Sequence, residues 1–499
     1  MGKWHFAVLA TLMVPAFGQT TPPVFRPEIP RVWDDNTMRE LELPLASRIR
    51  VRHVSSEFYY RIPVRPNLKT YTIYAPGREP AGYWEWLQQQ EPAPSYDPEA
   101  LRTREDWIKA GEAVFESTNE FLPVGHPFVD VRNEKWYEYT GVPLTKDGIL
   151  PYYRYVIRTK GKVEVTFDSC ASCHTRVMDN GVVIRGGPGN LPFGKIWAYR
   201  VANDKRIDLT KPSDRPMQLF FGAPWIHPDP TGPVAAETTA NFVEHLRTLP
   251  PGVTPRQGTS AIYPPQAPDL IGIKDRLYLD HTGLQQHRSI GDLMRYAAIN
   301  NFIEEITDYD GFRPSTGGPK LRDSQSLSRD SDERLYALAL YLYSLQPPPN
   351  PNRFDALAAK GKKVFEREGC AACHTPPLYT NNKLTPAAGF KVPAEDRLKY
   401  QILDVSVGTN PFLATKTRRG TGYYKVPSLK GVWYRGPFEH NGSVATLDDW
   451  FDPRRLRPDY VPTGYVGYHV SSRAVPGHEF GLKLTPDDKR ALIAFLKTL

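Results

Sequence analysis

No cysteine in this chain lies outside two pentapeptides, Cys170-Ala-Ser-Cys173-His174 and Cys370-Ala-Ala-Cys373-His374. That absence removes any disulfide framework between distant segments. It leaves a zinc site only if both pairs converge on one metal. Methionine is scarce as well: of the six in 499 residues none follows Met294, so an iron bound by the C-terminal part cannot draw a thioether from its own domain. Past residue 17 no apolar run approaches the roughly 20 residues of a membrane span. There is no basic run or aromatic ladder, which argues against nucleic acid as a partner.

What remains is specific. Two thiols three positions apart on one helical turn can each form a thioether with a haem vinyl group, and the imidazole of the next residue then lies under the iron. A thioredoxin-like dithiol would need a βαβ context and no adjacent histidine. The pattern predicts two covalently bound haem c groups, attached at Cys170, Cys173, Cys370 and Cys373. His174 and His374 are the proximal ligands.

The amino terminus reads as a signal peptide over residues 1–18. Lys3 precedes the apolar stretch Phe6 to Phe17, which Pro15 interrupts, and Gly18-Gln19-Thr20 follows. A periplasmic or otherwise exported protein is expected, with no membrane span after removal of the signal. The net charge of +8 gives a modest positive field, suited to a small acidic redox protein as electron donor or acceptor.

The chain reads as an internal duplication. Gly111-Glu-Ala-Val114-Phe115 precedes the first pentapeptide and Gly361-Lys-Lys-Val364-Phe365 the second. After each come Pro268-Asp-Leu270-Ile-Gly272 and Pro427-Ser-Leu429-Lys-Gly431, then His287 and His440. Both copies end in an amphipathic helix. Leu335, Leu338, Ala339 and Leu342 share one face, as do Leu492, Phe495, Leu496 and Leu499, with Thr485 as N-cap. Each should pack across the helix carrying Val114-Phe115 or Val364-Phe365.

The expected fold is therefore mainly α, with two class I cytochrome c-like domains at 101–346 and 355–499. A Pro-rich linker, 347–354, joins them. The first domain holds an insert, 116–169, in which Tyr152 to Arg158 and Val163 to Phe167 flank Lys160-Gly161 as a β-hairpin. Residues 19–100 show neither haem signal nor sustained periodicity and read as an extended arm over the haem domains.

The sixth iron position decides between electron carriage and catalysis. For the second haem His440 is the leading candidate, with His469, His478 and the tyrosines Tyr460, Tyr465 and Tyr468 as alternatives. For the first, the duplication nominates His287, ahead of His281, His227, His245, Met217 and Met294, or no ligand at all. Trp197 and Trp225 read as core aromatics rather than as electron mediators. No acid/base residue can be assigned.

The stretches Val426-Pro-Ser-Leu-Lys-Gly431, Gly436-Pro-Phe-Glu-His440-Asn-Gly-Ser-Val-Ala-Thr-Leu447 and Leu484 to Leu496 resemble the C-terminal domain of bacterial di-haem cytochrome c peroxidases and MauG enzymes. The resemblance implies an electron-entry haem at His374 and a peroxidatic haem at His174. It implies a peroxidase-like oxidoreductase acting on hydrogen peroxide. The widely separated haem motifs and the His-Asn-Gly-Ser-Val context are also similar to di-haem rubber oxygenases, whose first haem binds dioxygen. A haem-dependent dioxygenase and a non-catalytic electron carrier stand as the alternatives.

Overall fold

The computed structural model describes residues 24–117, 120–204, 219–256, 258–300 and 303–499. Residues 1–18, read as a signal peptide, and Met217 lie outside these.

A capping box starts the helix Arg104–Glu116. The Asp106 N–H donates to the Thr103 hydroxyl at 3.1 Å, and the Thr103 N–H donates back to the Asp106 carboxylate at 2.8 Å. Its apolar side, Ala110, Val114 and Phe115, is buried against the helix Asp332–Ser344, whose Leu335, Leu338, Ala339 and Leu342 are buried in turn. The same arrangement recurs near the C-terminus. Helix Ala356–Arg367 packs Val364 and Phe365 against Leu492, Phe495 and Leu496 of helix Pro486–Lys497, which Thr485 caps. The expected crossings are thus both present.

Each crossing has the first glycine of its repeated pentapeptide at the contact. A Cβ on Gly111 would lie 2.0 Å from the Ala337 carbonyl oxygen, and one on Gly361 would lie 1.8 Å from that of Ala491. Backbone against backbone leaves no flexible atom to yield, so the helices would have to part. Gly111→Ala and Gly361→Ala are each expected to cost about 3 kcal/mol, at the upper end of overpacking penalties, as read from chemical denaturation.

The hairpin forms as expected, but within a larger sheet. Strands Ile149–Thr159 and Lys162–Phe167 pair antiparallel, and Glu120–Pro123 adds beyond the second. On the other side lies Thr70–Tyr74, a strand from the N-terminal segment, with Tyr71 opposite Tyr155. The segment read as an extended arm therefore contributes regular structure. It also forms short helices at Asp35–Leu41, Ser56–Arg61 and Tyr83–Gln89, the first two capped by Asp34 and Ser55. Trp33, Met38, Leu41 and Tyr59 are buried in the same core as Phe115 and Leu338. Elements of five to seven residues are too short to show a period, and tertiary packing stabilises them. Between the helices ending at Ser344 and starting at Ala356 the proline-rich stretch has no regular structure. The molecule is a helical protein with small sheets.

Candidate functional site

Each cysteine pentapeptide forms a short helical turn, Cys170–Cys173 and Cys370–Ala372, closed by donation from the histidine N–H to the first cysteine's carbonyl at 2.9 Å. All four thiols are free. Burial pushes Cys170 up to about 12 and Cys370 up to about 11, the reverse of the acidified thiol of a redox dithiol.

The two proximal imidazoles are held in the same way. His174 Nδ1 is 2.9 Å from the Pro268 carbonyl, and His374 Nδ1 is 3.2 Å from the carbonyls of both Pro427 and Tyr379. A carbonyl can only accept, so Nδ1 carries the proton and the Nε2 lone pair is free for a metal. Pro268 and Pro427 are the matching residues of the duplicated segment. Burial lowers both imidazoles, His174 to about 3, which keeps them in the neutral, metal-binding form.

Beside His374 opens a cavity of about 380 Å³. Its wall is mostly apolar, with Phe365, Val432, Leu447, Phe451 and Leu492 among the lining side chains and Cys370 and Cys373 at one edge. The imidazole that stands opposite His374 is His478, with ring centres 6.2 Å apart. Burial, followed by the neighbouring His374, lowers His478 to about 4, and its Nδ1 is buried without a hydrogen-bond partner. Its backbone is pinned on both sides: the N–H donates to Val407 at 2.6 Å and the carbonyl accepts from Arg455 at 2.9 Å. Trp450 and Phe480 pack against the ring, each at 5.3 Å between centres.

His440, the leading sequence candidate, reaches the same cavity but lies flat on Tyr424, with ring centres 4.7 Å apart and 24° between the planes. Its Nδ1 is 2.5 Å from Glu439 Oε2 and its Nε2 is 3.4 Å from the Tyr424 hydroxyl. Both ring nitrogens of His287, the candidate for the first haem, are engaged in hydrogen bonds. Its Nδ1 donates to the Arg276 carbonyl at 2.7 Å and its Nε2 accepts from the Tyr343 hydroxyl at 2.6 Å. Five of the other candidates have a polar atom engaged elsewhere. His281 and His245 bond to the carbonyls of Gln266 and Ala261, and His469 pairs with Glu237 at the surface. Tyr465 and Tyr468 donate to the Ile262 carbonyl and Glu237. Met294 is fully buried in the first core, and Trp197 and Trp225 pack among aromatics as expected.

Beside His174 the nearest charged groups are Arg256, Asp280 and Arg276. The Arg256 guanidinium donates to Asn300 Oδ1 at 2.8 Å. Cys170, Cys173 and His174 are each half-buried. Among the described residues no second imidazole stands opposite His174.

Paired thiols at the edge of an apolar cavity, with a neutral imidazole presenting Nε2, define a c-type cytochrome. A family model described as RoxA-like, cytochrome c-like matches residues 422–461. The chain is 28% identical over 165 residues to cytochrome-c peroxidase IdrP1 of Denitromonas iodatirespirans, a match covering 29% of the chain and 40% of that relative. Against the protein of the same name from a Pseudomonas species it is 27% identical over 170 residues, 30% of the chain and 41% of the relative. The chain thus spans about 40% of the length of these curated relatives. Among solved structures, a variant of the diheme peroxidase BthA from Burkholderia thailandensis aligns at 18% identity over 64% of the chain and 92% of that structure, with a TM-score of 0.25. Over part of its length the chain is thus similar to cytochrome c peroxidases and to a RoxA-like cytochrome c stretch.

The residues fit haem c at both loops. His374 and His478, with ring centres 6.2 Å apart, are the two residues that would hold an iron at the second loop. The unpartnered Nδ1 of His478 is the orphan polar atom that such a metal bond, or a turn of the ring, would satisfy.

Proposed function

We propose that this is an exported di-haem c-type cytochrome of two cytochrome c-like domains acting as a peroxidase-like oxidoreductase. The His174 site is the reaction site, and the His374 site, closed by His478, is the electron relay. The observation that carries this reading is the asymmetry between the loops. One proximal imidazole has a second imidazole near it; the other has none among the described residues and has charged groups nearby. A centre with two protein ligands carries electrons, whereas one with an open position can bind a small oxidant.

Haem, when bound, supplies the redox-active iron at both places. The chain's own contribution is orientation and exclusion. Pro268 and Pro427 hold the imidazole protons, the apolar wall around His374 keeps water from the relay, and Arg256 places positive charge near His174. Reduction of hydrogen peroxide to two waters consumes two electrons and two protons. The electrons would come singly from a small redox protein, favoured by the chain's net positive charge if that donor is acidic.

Optical and electron paramagnetic resonance spectra of the holoprotein test the reading. Ferric protein is expected to show one low-spin and one high-spin haem, before or after one-electron reduction. Cyanide should convert only the high-spin component, and peroxide should be consumed when a reduced donor is supplied. Two low-spin haems, indifferent to cyanide and peroxide in either redox state, would leave only an electron carrier. The RoxA-like match over 422–461 favours a second reading, a haem-dependent dioxygenase. A stable ferrous dioxygen complex, with no peroxide turnover, would establish it.

A further inference from the structure

The loops that carry Pro268 and Pro427 meet across a second, smaller cavity of about 70 Å³, room for more than one water. Both prolines line it, so it lies behind the two proximal imidazoles. Three cations face it, Arg276, Arg435 and Lys425, with one carboxylate, Asp269.

That carboxylate is already engaged. Oδ1 accepts from the Ile271 N–H at 3.1 Å, and Oδ2 lies 3.8 Å from Arg276 and 3.5 Å from Arg435. The arginines are anchored by carbonyls, Arg276 by those of Asp269 and Ile271 and Arg435 by those of Ser428 and Lys430. Lys425 is different. Its backbone N–H donates to the His281 carbonyl at 3.0 Å, but its ammonium has no acceptor within hydrogen-bonding distance among the described residues. Burial, with Arg276 next, lowers this lysine to about 7.

A half-buried ammonium without an acceptor is costly, and three cations against one occupied carboxylate leave the cavity positive. The same charges repel a divalent cation. We propose that this cavity binds a small oxyanion or carboxylate, with Lys425 as the principal donor and Arg276 and Arg435 flanking it. Because Lys425 and Arg435 also line the larger cavity beside His374, the ligand has two chemically equivalent sources. It is either an inorganic oxyanion from solvent or a propionate of the haem at the second site; the latter source rests on the haem reading above.

The test uses the di-haem holoprotein, with inorganic phosphate as the probe in an otherwise oxyanion-free buffer. Calorimetric titration is expected to show phosphate binding that Lys425→Met weakens at least tenfold and Lys425→Arg largely preserves, which assigns the free oxyanion. If phosphate does not bind, the propionate source requires the haem propionate bending mode in the resonance Raman spectrum to move in Lys425→Met and to be retained in Lys425→Arg. Absence of both effects overturns the proposal, and Lys425→Arg, which keeps the charge, guards against a folding defect in the methionine variant. Neither arm measures turnover, so failure of the peroxidase reading is seen separately.

Discussion

His478→Ala is expected to convert the second haem from low-spin to high-spin, whereas His440→Ala leaves its spin state unchanged. The two residues line the same cavity, and only geometry separates them. The His478 ring centre is 6.2 Å from that of His374, a spacing at which both imidazoles would hold one metal. Trp450 and Phe480 pack against its ring, each at 5.3 Å between centres. His440 instead stacks on Tyr424 with Glu439 at its Nδ1. In His478→Ala the whole low-spin signal of the second haem should be lost in favour of a high-spin one, and cyanide should then bind both haems. Donor-driven peroxide turnover should fall, while cyanide affinity at the first haem stays the same. The opposite pattern, a high-spin second haem in His440→Ala and no change in His478→Ala, would return the ligand role to His440.

The contrast between these histidines shows what was legible in the chain. Haem attachment is a local signal, complete within five residues, and so are the capped ends of the crossing helices. The repeated Gly-x-x-Val-Phe could be read as a buried face, and Gly111 and Gly361 stand at the two crossings. The imidazole found beside His374 is another kind of information. His478 arrives from a loop more than a hundred residues away, with a positive φ of 45° and glycine immediately before it, where no period announces an inward side chain. The equal offsets of His287 and His440 in the duplication were a weaker guide, because Tyr343 of the closing helix takes the His287 ring. The N-terminal segment hid its structure for a related reason. Thr-Tyr-Thr-Ile-Tyr alternates over Thr70–Tyr74 with Tyr71 and Ile73 buried, but five residues become a strand only when Ile149–Thr159 is there to pair.

Asp330→Asn is expected to destabilise the protein by about 3–5 kcal/mol in chemical denaturation, the cost of leaving buried charge uncompensated. Asp330 is 1% exposed and takes Arg65 from the N-terminal segment and Arg334 from the closing helix of the first half, both also buried. Amidation leaves two guanidinium groups facing a neutral side chain in low dielectric, and Arg65 has no second acidic partner among the described residues. The same stretch holds Arg65 by a backbone bond to Arg329 at 2.9 Å. Loosening should therefore appear first as faster proteolysis between residues 45 and 70. Replacing Asp330, Arg65 and Arg334 together by apolar residues of similar size should recover most of the loss, since the penalty lies in the unpaired charges rather than in a missing attraction. Burial raises the Asp330 carboxyl, but Arg65 and Arg334 outweigh it and hold the group below its ordinary value. Its contribution is therefore complete above the unfolded value of about 3.9 and is lost as pH falls through the folded one. Glu42, held at about 2 where His53 and Arg419 overcome burial, behaves likewise and loses its share between about 4.5 and 2. Wild-type stability should consequently fall steeply below about pH 4.5, and Asp330→Asn should show a shallower acid slope. Equal acid slopes in the two proteins would mean that Asp330 is not ionised in the fold and that the triad does not anchor the N-terminal segment by charge.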